Sequence, residues 1–203
     1  MSKRKRSKKA KSRVAAFLTT CLLLVGVVGV GFALRAGYRT YTASTYRLQY
    51  YDEVMTYAAK YDVQPSLIYG IIRTESNFDP NAHSSADAKG LMQITADTLE
   101  WLQYRSDEFS GLTEEHLFEP DTNIHCGVYA LSLLKEMFPD EDTVIAAYNA
   151  GLGNVQEWLQ DPAYSDDGVT LHTIPYEETR KYVQRVRTAQ AIYRDFYRVD
   201  DAT

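Results

Sequence analysis

One carboxylate in this chain sits where proton-transfer chemistry becomes attractive. Glu75 closes the run Pro65-Ser66-Leu67-Ile68-Tyr69-Gly70-Ile71-Ile72-Arg73-Thr74-Glu75. Pro65 suits the first turn of a helix, where its missing N–H costs nothing. Ile68, Ile71, Ile72 and Glu75 then fall at i, i+3, i+4 and i+7, which is one helical face. A charge on an isoleucine stripe is expensive unless it is paired or neutralised. Two readings follow. Glu75 either pairs with an arginine or caps a neighbouring helix, or burial raises its pKa so that it holds a proton near neutral pH. The second is what a general acid needs. The spacing alone leaves both open.

Three later segments narrow the choice: Gly90-Leu91-Met92-Gln93-Ile94, Ala147-Tyr148-Asn149-Ala150-Gly151 and Glu178-Thr179-Arg180-Lys181-Tyr182-Val183. With Glu75-Ser76-x-Phe78 ahead of them, in this order and spacing, they closely resemble the soluble-lytic-transglycosylase domain, the goose-lysozyme-like family that cleaves bacterial peptidoglycan. The resemblance covers roughly residues 50–197. It implies a lysozyme-like all-α domain acting on the β-1,4 bond between N-acetylmuramic acid and N-acetylglucosamine. Glu75 is then the catalytic acid and afterwards the base. The same resemblance places Met92 and Gln93 along a sugar groove and lets Ser84 hydrogen-bond the substrate. It points the Tyr148 hydroxyl toward Glu75, gives Asn149 a binding role, and sets Glu178 near the groove.

Each of these residues also has a plainer reading. Leu91, Ile94, Ala146, Ala147 and Ala150 read as packing, and so do Tyr182 and Val183. Glu178 suits a helix N-terminus on dipole grounds alone. One departure from the family pattern is Asp87, where glycine is frequent. Aspartate tolerates a left-handed backbone better than most residues, so the loop is expected to keep its course. Asp79 and Asp87, the carboxylates nearest Glu75 in sequence, lie in loop segments and read as solvated. With no convincing second carboxylate, the resemblance implies a non-hydrolytic route ending in a 1,6-anhydromuramic product. A hydrolytic muramidase on the same fold and a non-catalytic wall-binding protein are the alternatives. A pure binder has no need of a buried acid.

The elements that must hold these residues are helical by pattern. Residues 50–61 place Val54, Tyr57, Ala58 and Tyr61 on one face. Residues 77–89 read as a loop, with a turn signal at Asp79-Pro80-Asn81. A helix over 95–102 turns Trp101 and Leu102 inward, and residues 106–120 form another loop. Asp121 is the expected N-cap of a long helix to about Phe138, with Ile124, Val128, Leu131, Leu134 and Phe138 inside. Asp142 or Thr143 caps a helix over 144–150, and Gly151 stops it. A short helix over 154–159 and an irregular stretch over 161–173 precede a last helix over 176–197. No strand pattern and no internal repeat appear.

The chain has 203 residues and a net charge of −5. Residues 1–13 hold eight of the 22 basic side chains and none of the 27 acidic ones, so the rest carries a balance of −13. Val14 to Leu34 is 21 residues without a charge, enough at ~1.5 Å each to span a ~30 Å hydrocarbon core. A cleaved signal peptide would usually have a shorter apolar stretch ending in a small-x-small site. The reading is therefore a basic cytoplasmic tail (1–13), a single transmembrane anchor (14–34), a linker (35–49), a catalytic domain (50–198) outside the cell membrane, and a tail (199–203). The charge bias puts the N-terminus inside. The acidic body offers no stripe for nucleic acid. Cys21 and Cys126 are too differently placed to pair. His83, His116, His125 and His172 lack metal-ligand spacing, and no cofactor is expected. Glycan strands and the membrane are the expected partners; wall or secretion machinery would also fit.

Overall fold

The computed structural model describes residues 2–202, with side chains at Thr20 and from Leu22 onward. The basic side chains of residues 3–13, those of residues 14–19 and that of Cys21 lie outside this description. With them go the expected cytoplasmic tail and the Cys21 half of the cysteine argument; Cys126 is a buried free thiol. The chain divides into two compact units, residues 1–47 and 48–203.

The first unit is one helix, α1 (Ser2–Thr45). The stretch expected to be a linker is thus helical as far as Thr45. Leu22–Thr45 is long and apolar enough to cross a membrane by length and composition. Its apolar side chains point outward, with Leu22 73% and Leu34 70% exposed. A helix that is apolar all round needs lipid or protein around it.

The regular secondary structure of the second unit is all helical among its described residues, apart from isolated bridges His83–Lys89 and Lys89–Ile94. Its helices are α2 (Tyr51–Tyr61), α3 (Pro65–Glu75), α4 (Ala96–Arg105), α5 (Pro120–Met137), α6 (Glu141–Ala150), α7 (Leu152–Gln160) and α8 (Glu177–Ile192). Several boundaries move from their expected places for identifiable reasons. Thr95 caps α4 by accepting from the Thr98 N–H at 3.2 Å. Asp140, rather than Asp142 or Thr143, caps α6, its carboxylate accepting from the Thr143 N–H at 2.8 Å. Pro120, not Asp121, opens α5; Asp121 instead accepts the Tyr57 hydroxyl at 3.0 Å. The final helix does not run through to Tyr197, because the chain passes into a π turn at Tyr193–Tyr197.

The core is built around α3. Its residues from Pro65 to Ile72 are all buried, so the isoleucine stripe is part of an almost fully enclosed helix rather than one face of an exposed one. Two contacts fix it. At its start, the Asp200 carboxylate accepts from the Ser66 N–H at 2.8 Å and from the Ser66 hydroxyl at 2.7 Å. That anion meets the positive end of the helix. Val199 beside it is only 3% exposed, so the expected tail is packed against the domain at Val199 and Asp200, while Asp201 and Ala202 are exposed. Midway, Gly70 lets α3 approach α8: a Cβ there would meet the Val186 carbonyl oxygen at 3.0 Å and the Gln190 nitrogen at 3.3 Å. This close crossing sets what α8 presents to the end of α3.

Candidate active site

Glu75 is the last residue of α3 and is part-buried. One helical turn before Val186 on α8 stands Tyr182, 2% exposed. Its hydroxyl donates to Glu75 Oε1 at 2.6 Å. Sequence patterning assigned Tyr182 to packing; the Gly70 crossing makes it the hydrogen-bonding partner of the candidate acid. Burial pushes the Glu75 carboxyl up to about 7, while the Tyr182 hydrogen bond and the positive charge of Arg185 pull more weakly downward. Arg185 acts from beyond the tyrosine, 5.9 Å from the centre of its ring. Among the described residues Glu75 forms no ion pair and caps no helix. The structure therefore favours the proton-holding reading over the structural pair. Burial and the Glu75 charge drive the Tyr182 hydroxyl well above the usual phenol range, so it stays protonated as a donor.

Glu75 opens into a groove of about 620 Å³. Of the residues expected there, Ser84, Gln93, Tyr148, Asn149 and Glu178 do line it. Met92 does not. It is fully buried and packs so closely against Gly127 that a Cβ on that glycine would meet its sulfur at 2.3 Å. Its contribution is its backbone. The Met92 carbonyl accepts the Tyr148 hydroxyl at 2.8 Å, so Tyr148 lines the groove with its hydroxyl bonded to that carbonyl rather than to Glu75. It still stands near enough for the charge of Glu75 to add to the upward shift that burial imposes on its phenol.

The loop between α3 and α4 forms the groove floor. Ser76 ties the end of α3 to it, its hydroxyl donating to the Leu91 carbonyl at 2.8 Å. Lys89 and Ile94 exchange backbone hydrogen bonds at 2.9 and 3.0 Å, which forces the intervening residues into a tight turn. Gly90 has φ +75° and Gln93 φ +53°. The Gln93 amide donates to the carbonyls of Gly90 at 2.9 Å and Ala82 at 3.2 Å. The Ser84 hydroxyl accepts from the N–H groups of Ala88 and Ala86 at 3.1 and 3.2 Å. Both side chains therefore hold the loop as well as face the groove. Asp87 takes the left-handed conformation expected of it, φ +61°, and binds Lys89 at 2.7 Å. The Asn149 side chain makes no hydrogen bond within the described residues, which leaves its amide free for a ligand.

Residues outside the motifs complete the walls. Asp97, Thr98 and Trp101 of α4 line the groove with Leu152 of α7. The helical period had turned Trp101 into the core; it is half-buried in the groove wall instead. A groove cut into a helical domain shows the same inward spacing as the core behind it, so periodicity could not separate the two. The unnoticed signal was the local composition: an aspartate and a threonine followed one turn later by a tryptophan on one helix.

Comparison with known proteins agrees with this fold. The family described as Transglycosylase SLT domain matches residues 53–168. The membrane-bound lytic murein transglycosylase C of Klebsiella pneumoniae is 36% identical over 167 residues, covering 72% of this chain and 46% of that protein. The soluble lytic murein transglycosylase of Salmonella typhimurium is 35% identical over 153 residues, covering 73% of this chain and 23% of that one. The chain thus spans about half the length of the first relative, or less of the second. Among solved structures, the 70 kDa soluble lytic transglycosylase of Escherichia coli superposes with a TM-score of 0.67 at 30% identity, over 77% of this chain and 26% of that one. An inactive mutant of the lytic transglycosylase Slt of Pseudomonas aeruginosa gives 0.67 at 31% identity, over 76% and 25%.

Proposed function

Because the chain belongs to the Transglycosylase SLT domain family, we propose that it is a peptidoglycan lytic transglycosylase, with Glu75 as its single acid and base. The observation that carries this reading is the carboxyl of Glu75, raised to about 7 by burial at the wall of an open groove. In the first step Glu75 donates its proton to the glycosidic oxygen, and the N-acetyl group of the muramic unit assists departure at C1. In the second, Glu75 takes a proton from the C6 hydroxyl of the same sugar, whose oxygen attacks C1 and closes the 1,6-anhydro ring. No water enters the product. Tyr182 holds the carboxyl in place. Ser84, Gln93, Tyr148, Asn149 and Glu178 orient the strand, and Met92 acts only through its carbonyl.

Hydrolysis has one specific observation in its favour: Asp97 and Glu178 put two further carboxylates on the groove, and an inverting glycosidase needs a second carboxylate to activate water. Digestion of peptidoglycan in ¹⁸O-labelled water separates the two routes. Unlabelled anhydromuramic ends are expected, read by mass spectrometry. Reducing muramic ends carrying ¹⁸O would replace the transglycosylase with a muramidase.

The same reading places the domain outside the cell membrane. The uncharged stretch 14–34 would remain as a single-pass anchor, with the basic residues before it on the cytoplasmic side. Protease added to wall-stripped cells should then remove the domain while α1 stays with the membrane. A protected domain, or a mature chain that starts after residue 34, would rule out the anchor.

A further inference from the structure

The groove has a sign. Its lining includes three carboxylates, Glu75, Asp97 and Glu178, and no lysine, arginine or histidine. Arg185, the cation felt by Glu75, sits over the Tyr182 ring and is not part of that lining. Below about pH 7 Glu75 holds its proton, and Asp97 and Glu178 are then the remaining carboxylates of the lining. Neither side chain has a hydrogen-bond or ion-pair partner among the described residues.

We propose that Asp97 makes the α4 wall of this groove discriminate by charge, favouring muramyl glycans whose stem carboxylates are amidated over those whose carboxylates are free. The inference rests on the lytic reading above. Asp97 and Trp101 are four residues apart on α4, so they share one face of it, and both line the groove. An indole offers the apolar face of a sugar ring a flat surface to stack on. A ring seated there carries its substituents past Asp97. A muramic unit bears its lactyl group and peptide stem as such a substituent, and acidic stem residues bring carboxylates with them. Amidation removes that charge without changing the size of the stem. Like charges about 4 Å apart across water change binding by about five-fold (~1 kcal/mol). The effect fades as the screening length contracts to ~3 Å at 1 M salt.

The test uses the full chain in detergent micelles and two synthetic muramyl tetrasaccharides with identical stems, one with free stem carboxylates and one amidated. Wild type should cleave the amidated substrate with a kcat/KM about five-fold higher at low salt, and 1 M salt should erase the preference. Asp97→Asn should at least halve it. Because the readout is a ratio within one protein, a partial loss of folded enzyme cancels. Equal rates on the two substrates, or a preference that Asp97→Asn leaves intact, would overturn the proposal while the lytic reading stands. Cleavage of neither substrate by wild type would overturn both.

Discussion

Glu75→Gln should lower turnover of peptidoglycan by at least ~10²-fold, the low end for loss of a general acid, and leave the fold intact. The amide has the size and shape of the acid but no proton to give. Its carbonyl oxygen can still accept the Tyr182 hydroxyl that now reaches Glu75 Oε1 at 2.6 Å. The wild-type pH profile carries the same signature. A general acid works in its protonated form, so kcat/KM should fall as pH rises through about 7, the value to which burial lifts Glu75. Stability follows with a definite sign. Between the ordinary glutamate value of 4.5 and about 7, the folded state binds more protons at Glu75 than the unfolded state does. Stability therefore falls with rising pH across that window. The contribution is fully present below 4.5 and lost above about 7. Glu75→Gln removes this dependence, so its melting temperature relative to wild type should rise between pH 4.5 and 7 and level off beyond. Near-normal turnover by the variant would show that another group supplies the proton.

The parts of this site that could be read beforehand are those written in short segments. Pro65 and the isoleucine spacing define α3, and the same stripe singles out Glu75, because a carboxylate among isoleucines conflicts with burial wherever it occurs. The left-handed Asp87 was readable from what aspartate tolerates. What escaped depends on how separate helices meet. Whether Tyr148 or Tyr182 reaches Glu75 is decided by the crossing at Gly70, where the backbones of α3 and α8 come within contact; nothing near either tyrosine encodes it. Trp101 was assigned inward correctly as to side but not as to what it faces. Asp200 looked like part of a loose end, and only the fold brings it to Ser66, 134 positions away in sequence. Asn123 was invisible for the same reason: two of its partners, Met92 and Lys89, lie 31 and 34 positions away in sequence.

Asn123→Ala should unfold the domain at a temperature ~6–12 °C lower than wild type and reduce turnover even at temperatures where the variant is folded. Asn123 is 0% exposed and uses its whole amide on the groove floor. Its Oδ1 accepts from the Met92 N–H at 2.7 Å. Its Nδ2 donates to the carbonyls of Lys89 at 2.8 Å and Leu117 at 2.7 Å. Alanine leaves the Met92 N–H and the Leu117 carbonyl buried without this partner, and takes from the Lys89 carbonyl one of its two hydrogen bonds, the one from the Ile94 N–H remaining. At ~1–3 kcal/mol for each of the two unsatisfied groups and ~1 kcal/mol for the third hydrogen bond, the loss is about 3 kcal/mol or more, a large share of the ~5–15 kcal/mol that holds a domain together. For a domain of this size each kcal/mol moves the melting point by ~2–4 °C, which gives the stated range. Activity suffers because the same amide fixes the turn that aims the Met92 carbonyl at Tyr148 and holds Gln93 at φ +53°. There is no room for the turn to settle elsewhere. A Cβ on Gly90 would already meet the Leu117 carbonyl at 2.2 Å and Asn123 Nδ2 at 2.3 Å. Asn123→Asp gives the sharper check. It keeps the shape and the acceptor for Met92 but sets an oxygen against two carbonyl oxygens, so it should fare no better than alanine. A melting point within ~2 °C of wild type for either variant, well below the ~6 °C minimum expected, would mean that the groove floor is held by something other than this amide.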